Sequence, residues 1–393
     1  MSRHRIIVLG GGYTGVAVAG QLARRMRSED VSVTLVTERA TRNERMRWHQ
    51  LAAGQRYPLL PIAAALKGSG AELRVETAER IDAHCHMVRL AGGESLPYDS
   101  LVVALGSVID FGAVSGAREN AHGLTNVASI QAAARSLSAL PDGAGVTVVG
   151  GGLTGIELAT ELAESHPRLR VAIVSRRPPG DWLSEPGLRH LDRALDRLHI
   201  ERIRGNVTQI GPETIALDDG RELSSALTFW AGGFRANPLL KASGISVDEL
   251  DRAYVDDTFR SVSDPDVWVI GDAARVPGPD GSPLKMGCRT GAFMAFAVPR
   301  NVVNGLAGGA AKPFAGRYFA ECISLGRHDA LLQWLTRDGT AVDHVITGRP
   351  ALLIKEYVHW GNRFVARHPG PYAPVRRAHV PPTTGSRREM IGT

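Results

Sequence analysis

At 393 residues, with 44% hydrophobic and 22% charged residues, the chain is too long for one ordinary core and too apolar for disorder, so two or three compact domains are expected. The net charge of +6 is concentrated from Gly361 onward, where Arg363, Arg367, Arg376, Arg377, Arg387 and Arg388 face one acid, Glu389. The body is nearly neutral, which argues against nucleic acid as a partner. No apolar run reaches the roughly 18 residues of a membrane span, and the start lacks a secretory cleavage pattern. Cys85, Cys288 and Cys322 form no Cys-x-x-Cys pair. A cytoplasmic, reducing location without a redox-active disulfide is expected.

The chain opens with Ile6-Ile-Val-Leu9 entering Gly10-Gly-Gly12-Tyr13-Thr14-Gly15, followed by a helical pattern over 16–26 and a β-branched run over 31–36. That is a strand, turn, helix and second strand. In Gly-x-Gly-x-x-Gly, the first glycine permits the tight turn and the second lets backbone amides approach a pyrophosphate. The third lets helix and strand pack closely. The diphosphate then meets the helix N-terminus, where unpaired N–H groups favour negative charge. Glu38, at the end of the second strand with Arg39 beside it, is suited to the hydroxyls of an unphosphorylated adenosine ribose. The stretch 43–54 reads as a helix rich in large polar groups, and Arg47, Trp48 and His49 are expected either to line a ligand pocket or to pack the helix. His84-Cys85-His86 offers too few ligands for a metal; a solvent-facing hairpin strand over 81–90 is expected, and no metal. Tyr98 to Gly106 is a strand running into a small-residue turn at Ala104 and Gly106.

The opening pattern returns 140 positions later as Val-Thr-Val-Val149-Gly150-Gly-Gly152-Leu153-Thr154-Gly155, with a helical run over 156–164 and a strand over 171–174. Two βαβ units, and hence two dinucleotides, are implied. At the second strand end the carboxylate is replaced by Ser175-Arg176-Arg177, which suits a 2′-phosphate and favours NADPH over NADH. A surface arginine pair is the plainer alternative. Glu157 is expected either in solvent or facing the nicotinamide end. Trp230-Ala-Gly232-Gly233-Phe234 repeats the small-residue turn, and Gly271-Asp272 ends another buried strand, where Asp272 would hold the flavin ribityl or pyrophosphate of FAD and needs a polar partner. Cys288, near that end, reads as structural. The amphipathic run 351–360 is expected to dock on the core, with lipid as the alternative, and the Pro- and Arg-rich tail 361–393 to be solvated.

These motifs in this order resemble the two-dinucleotide-binding-domain flavoproteins, and within them the type II NADH:quinone oxidoreductases and the apoptosis-inducing-factor-like proteins. The resemblance covers residues 5 to 335. It implies an α/β fold of two Rossmann-type domains, with a discontinuous FAD domain (1–114 and 260–320), an inserted NAD(P) domain (115–259) and a C-terminal segment (321–360). In relatives that last segment serves dimerisation, the acceptor site or membrane contact, so a homodimer and weak peripheral membrane contact are expectations here. Hydride would pass from NADPH or NADH to FAD, and electrons on to a quinone or other small acceptor. Two departures stand out. Leu105 and Gly232 replace the threonine of the Ala-Thr-Gly turns, and the helix over 285–297 lacks the glutamines of quinone-reducing relatives. A flavin-dependent dehydrogenase or oxidase of a small metabolite, and a nucleotide-binding redox sensor, are the competing readings.

Overall fold

The computed structural model describes residues 3–42, 44–112 and 114–381. In chain order, β1 (His4–Leu9), α1 (Tyr13–Arg25), β2 (Val31–Thr37), β3 (Glu72–Val75) and β4 (Ser100–Val103) begin the first unit. The second unit holds β5 (Ala121–Gly123), β6 (Gly145–Val149), α2 (Leu153–Ser165), β7 (Arg170–Ser175), β8 (Glu201–Arg204) and β9 (Leu227–Trp230). β10 (Val267–Val269) and α3 (Cys288–Leu306) follow, then β11 (Ala320–Ser324), β12 (Ala330–Leu335), β13 (Ala341–Thr347) and α4 (Arg349–Arg367).

The first sheet runs β10-β4-β1-β2-β3 and the second β5-β9-β6-β7-β8, every pairing parallel. The repeat is therefore structural as well as sequential. One strand differs in origin: β10 reaches the first sheet from far downstream, whereas β5 precedes its own sheet, so the first unit is built from two separated stretches of chain. Strands covered on both faces must be apolar throughout. Ile6 to Leu9, Leu101 to Val103 and Val267 to Val269 are accordingly buried.

Each sheet centres its own core. Leu239, Leu240, Ile245, Ala253 and Phe259 pack in the first core, so the packing changes hands about twenty residues before the boundary expected at 259. β11, β12 and β13 form an antiparallel sheet that α4 covers.

One expectation from composition is corrected. A solvated tail is expected from residue 361, yet α4 continues to Arg367 and residues 368–381 lie along the end of α1. Arg24 donates to the Gly370 carbonyl at 2.9 Å, Ala378 exchanges backbone hydrogen bonds with Arg25 and Arg27, and Val380 is buried. Proline prevents this stretch from being helical but not from pairing with an existing edge. Arg387, Arg388 and Glu389 lie outside the described residues.

The amphipathic run in α4 docks on the protein, as expected: Ala351, Lys355, His359 and Ala366 face inward, while Leu353, Tyr357, Trp360 and Phe364 are exposed. Two of the inward side chains, Lys355 and His359, are polar.

Val380→Ala is expected to destabilise the protein by about 1.5 kcal/mol through lost burial, whereas Arg376→Ala at an exposed position should shift it by less than about 0.5 kcal/mol. Urea unfolding of both variants checks this; equal effects would mean that the tail is not packed.

Candidate functional site

Each glycine turn is a close approach of backbones. Gly10 (φ +108°) and Gly150 (φ +126°) take conformations only glycine adopts freely, and a Cβ on either would overlap the carbonyl of Ala104 or Ala231. A Cβ on Gly15 or Gly155 would overlap the carbonyl oxygen of Gly10 or Gly150. These third glycines set the distance between helix and strand and do not line the cavity. At Gly12 and Gly152 nothing lies within 4 Å of a would-be Cβ. The N-termini of α1 and α2 open on that side, without side-chain caps.

Both openings face one cavity of about 1970 Å³. A single small-molecule site is about 300–1,000 Å³, so there is room for two dinucleotides end to end. From the first unit, Gly10, Gly12, Tyr13, Thr14, Glu38, Arg39, Trp48, His49, Ala104, Gly106, Gly271 and Asp272 line it. From the second come Gly150, Gly152, Leu153, Thr154, Glu157, Ser175, Arg176, Arg177, Gly232 and Gly233. Asp272 has its partners: Ser107 Oγ donates to Oδ2 at 2.6 Å and the Gly287 amide to Oδ1 at 2.8 Å. Gly232 departs from the usual threonine because a Cβ there would overlap the Trp230 ring, whose Nε1 donates to the Asp110 carbonyl at 2.7 Å.

Besides Gly15 and Gly155, Arg47 is the expected site residue that does not line the cavity. It is buried away from the cavity, with Nη2 2.6 Å from Glu356 and Nη1 3.1 Å from Gln50 Oε1, and so ties its segment to α4. The expected helix over 43–54 is a 3₁₀ turn, Arg45–Arg47, running into a short α-helix, Trp48–Ala52; Asn43 lies outside the described residues. Arg42 and Arg45, not singled out from sequence, take the cavity-lining place instead. Arg42 lies 4.7 Å over the Tyr13 ring, and its Nη1 and Nη2 are buried without a hydrogen-bond partner among the described residues. Arg45 donates to the Ser107 carbonyl at 2.8 Å. Burial pushes both guanidiniums below their ordinary pKa. Orphaned donors beside an open helix N-terminus fit the diphosphate of a dinucleotide. Only spacing from Glu38 hinted at Arg42.

Glu157 is not in solvent. It is buried on α2, with Oε1 2.5 Å from Lys355 Nζ and 3.0 Å from the Ser324 amide, and Oε2 3.9 Å from His49 Nδ1. Burial alone would raise its carboxyl, but Lys355 and then His49 outweigh it and hold the group below the usual range. Lys355 also donates to the Cys322 carbonyl at 2.9 Å. Burial would lower its ammonium, and Glu157 keeps it raised instead. This pair is why α4 turns polar side chains inward, since a buried charge needs a partner. Around it, His49 Nε2, Trp48 Nε1 and His359 Nε2 are buried with no hydrogen-bond partner among the described residues, while His359 Nδ1 lies 3.5 Å from Glu356 Oε1. Burial first, then neighbouring cations, hold His49 down to about 4 and His359 to about 3, so both are neutral at pH 7.

Cys288, expected to be structural, is exposed and lines the cavity, and Cys322 lines it as well. His84, Cys85 and His86 occupy the turn of a hairpin between Ala78–Asp82 and Met87–Leu90 instead of a strand. Among the described residues no group of three or more His, Cys, Asp and Glu side chains could hold a metal ion.

A family model described as pyridine nucleotide-disulphide oxidoreductase matches residues 4–291. The chain is 26% identical to an NADH dehydrogenase-like protein of Mycobacterium tuberculosis, over 98% of this chain and 97% of that protein. It is 25% identical to a type II NADH:quinone oxidoreductase of Staphylococcus haemolyticus, over 91% and 94%. The crystal structure of the sulfide:quinone oxidoreductase from Aquifex aeolicus shares its fold, with a TM-score of 0.79, 20% identity and coverage of 94% and 93%.

The depressed His49 gives a signed pH dependence. The unfolded chain takes up a proton near pH 6.5 that the folded protein accepts only near 4, so the stability associated with a neutral His49 is present above 6.5 and is lost as pH falls from 6.5 towards 4. Relative to the parent, His49→Gln should gain about 1.4 kcal/mol per pH unit in that window. Urea unfolding at pH 7.5 and 5 measures the difference; a gap that does not change with pH would contradict the assignment. Lys355→Met, which strands the Glu157 carboxylate, should cost about 3–5 kcal/mol, and Glu157→Gln in the same chain should recover part of it. Additive losses in that double variant would contradict the pairing.

Proposed function

Because the chain belongs to the pyridine nucleotide-disulphide oxidoreductase family, whose members bind FAD and NAD(P)H, we propose that it oxidises a reduced pyridine nucleotide and delivers the electrons to a quinone-class acceptor. The observation that carries this reading is that both glycine turns open into one cavity, with the Glu157–Lys355 pair lining it beside the second turn. When bound, FAD supplies two-electron chemistry between the nicotinamide and the acceptor. Gly12 and the N-terminus of α1, with Arg42, would hold its diphosphate, Glu38 its ribose and Asp272 its ribityl end. Gly152 and the N-terminus of α2 would hold the pyridine nucleotide.

The balance of the overall reaction is one reduced nucleotide, one proton and one quinone giving one oxidised nucleotide and one quinol. Two protons therefore enter the quinol, one by way of the nucleotide hydride and one from the medium. Lys355 Nζ carries a proton within hydrogen-bond reach of Glu157 Oε1, and the neutral imidazoles of His49 and His359 also line the cavity. That constellation is suited to handing a proton inward without opening the pocket to water.

For the acceptor, part of the cavity wall is apolar and exposed. Phe293, Phe319, Trp334 and Val358 line it, and Phe293 and Phe319 meet edge to face at 6.1 Å. A flat hydrophobic acceptor suits such a mouth, and the S. haemolyticus relative bears quinone in its name. The outward face of α4, with Leu353, Tyr357, Trp360 and Phe364, supports peripheral contact with a cytoplasmic membrane surface, where lipid-soluble acceptors reside. Among the described residues no helix is long and apolar enough to cross a membrane.

With a short-chain quinone, the purified flavoprotein should form one quinol per nucleotide oxidised. Phe319→Ala should raise the KM for quinone by about tenfold, from roughly 1.4 kcal/mol of lost apolar contact, and leave flavin reduction by the nucleotide within about twofold. Nucleotide oxidation indifferent to quinone, or a Phe319 variant slowed equally in both half-reactions, would overturn the acceptor assignment.

A further inference from the structure

The two units provide an internal comparison at the place where each meets an adenosine ribose. β2 ends at Thr37, which pairs in register with Val75 at the end of β3, and the Glu76 amide donates to the Thr37 carbonyl at 2.8 Å. β7 ends at Ser175, which pairs in register with Arg204 at the end of β8, and the Gly205 amide donates to the Ser175 carbonyl at 3.1 Å. The backbone is thus the same and the chemistry is reversed. The residue following the second strand is Glu38 in the first unit and Arg176 in the second; the residue ending the third strand is Val75 in the first and Arg204 in the second.

Arg176 and Arg204, with Gly205 and Asn206, line a recess of about 490 Å³, and Arg176, Gly205 and Asn206 also line the main cavity, so the recess opens from it. Of its two carboxylates, Asp219 is paired with Arg221 at 2.8 Å, and Asp218, at the exposed rim, accepts from the Asn206 backbone amide at 3.2 Å. Neither the Arg176 nor the Arg204 guanidinium has a hydrogen-bond or ion-pair partner among the described residues. The neighbouring groups expected to share the work are occupied elsewhere. Arg177 is held by Asp181 at 3.2 Å, and the Ser175 hydroxyl donates to the Arg177 carbonyl at 2.7 Å.

The geometry points to Arg176 and Arg204 as the pair that reads the 2′-phosphate of the pyridine nucleotide, making NADPH the substrate selected over NADH and leaving Arg177 outside the recognition. The inference rests on the reading above only in taking the second unit as the nucleotide site. Two guanidiniums converging from adjacent strand ends match the oxygens of a phosphate monoester, and no carboxylate stands at the strand end to accept the 2′-hydroxyl of NADH.

The test separates binding from turnover. Adenosine 2′,5′-bisphosphate and 5′-AMP are titrated calorimetrically into the FAD-loaded protein, and kcat/KM for NADPH and NADH is measured on the parent, Arg176→Gln, Arg204→Gln and Arg177→Gln. The parent should bind the bisphosphate at least about tenfold more tightly than AMP. Arg176→Gln and Arg204→Gln should each lose about 10- to 100-fold in bisphosphate affinity and in kcat/KM for NADPH, the range of a charge-assisted hydrogen bond, with NADH changed less than about threefold. Arg177→Gln should leave the preference intact, and unchanged flavin content reports that the variants fold.

Bisphosphate binding no tighter than AMP, or a preference lost on Arg177→Gln and kept on Arg204→Gln, would overturn the inference while leaving the electron-transfer reading standing. Arginine-dependent bisphosphate binding in a protein whose flavin neither nucleotide reduces would do the reverse.

Discussion

The structure depends on how closely a helix can approach the strand that precedes it. At Gly15 against Gly10, and again at Gly155 against Gly150, a single added carbon would overlap a carbonyl oxygen. With that contact made, the helix N-terminus lies at the end of the strand with its amides unpaired, and the sheet, the ribose-reading strand ends and the cavity follow from it. Using this device twice in one chain, with both openings turned to a common space, produces a site long enough for two dinucleotides. The parallel sheets supply rigidity, since their central strands are buried on both faces.

The second organising contact crosses the chain. Glu157 on α2 and Lys355 on α4 are 198 residues apart in sequence and 2.5 Å apart in space. A buried ion pair is a poor source of net stability, but breaking one is costly, so it fixes where α4 can sit. It also explains why Lys355 and His359 of α4 face the cavity while Leu353, Tyr357, Trp360 and Phe364 face outward.

Much of this was legible in the sequence because glycine spacing, strand composition and strand-end residues are local signals. The repeat and the glycines of both turns fall in this class; Gly112, Gly205, Gly287 and Gly291, which also line the cavity, do not. The errors arise where a side chain's direction is decided by a distant element. Arg47 looks like a pocket residue, yet the 3₁₀ turn at Arg45–Arg47 sends it towards Glu356 on α4 and leaves Arg42 and Arg45 to line the cavity. Lys355 is unremarkable in an amphipathic pattern until α2 is packed beside it. The tail reads as solvated because composition says nothing about an edge at Arg25 and Arg27 onto which Ala378 can pair. At the second strand end, the sequence places Arg176 beside Arg177, whereas the sheet register, pairing Ser175 with Arg204, brings Arg204 to the recess that Arg176 lines.

If one polypeptide holds both redox partners in a single cavity so that electrons pass between them, an anaerobic titration of the purified protein with reduced pyridine nucleotide, followed by the flavin absorbance, will show it. The expected result is a yellow protein carrying one FAD per chain, bleached by one equivalent of nucleotide. A colourless protein that takes up no FAD, or a bound flavin that stays oxidised in excess nucleotide, would contradict it.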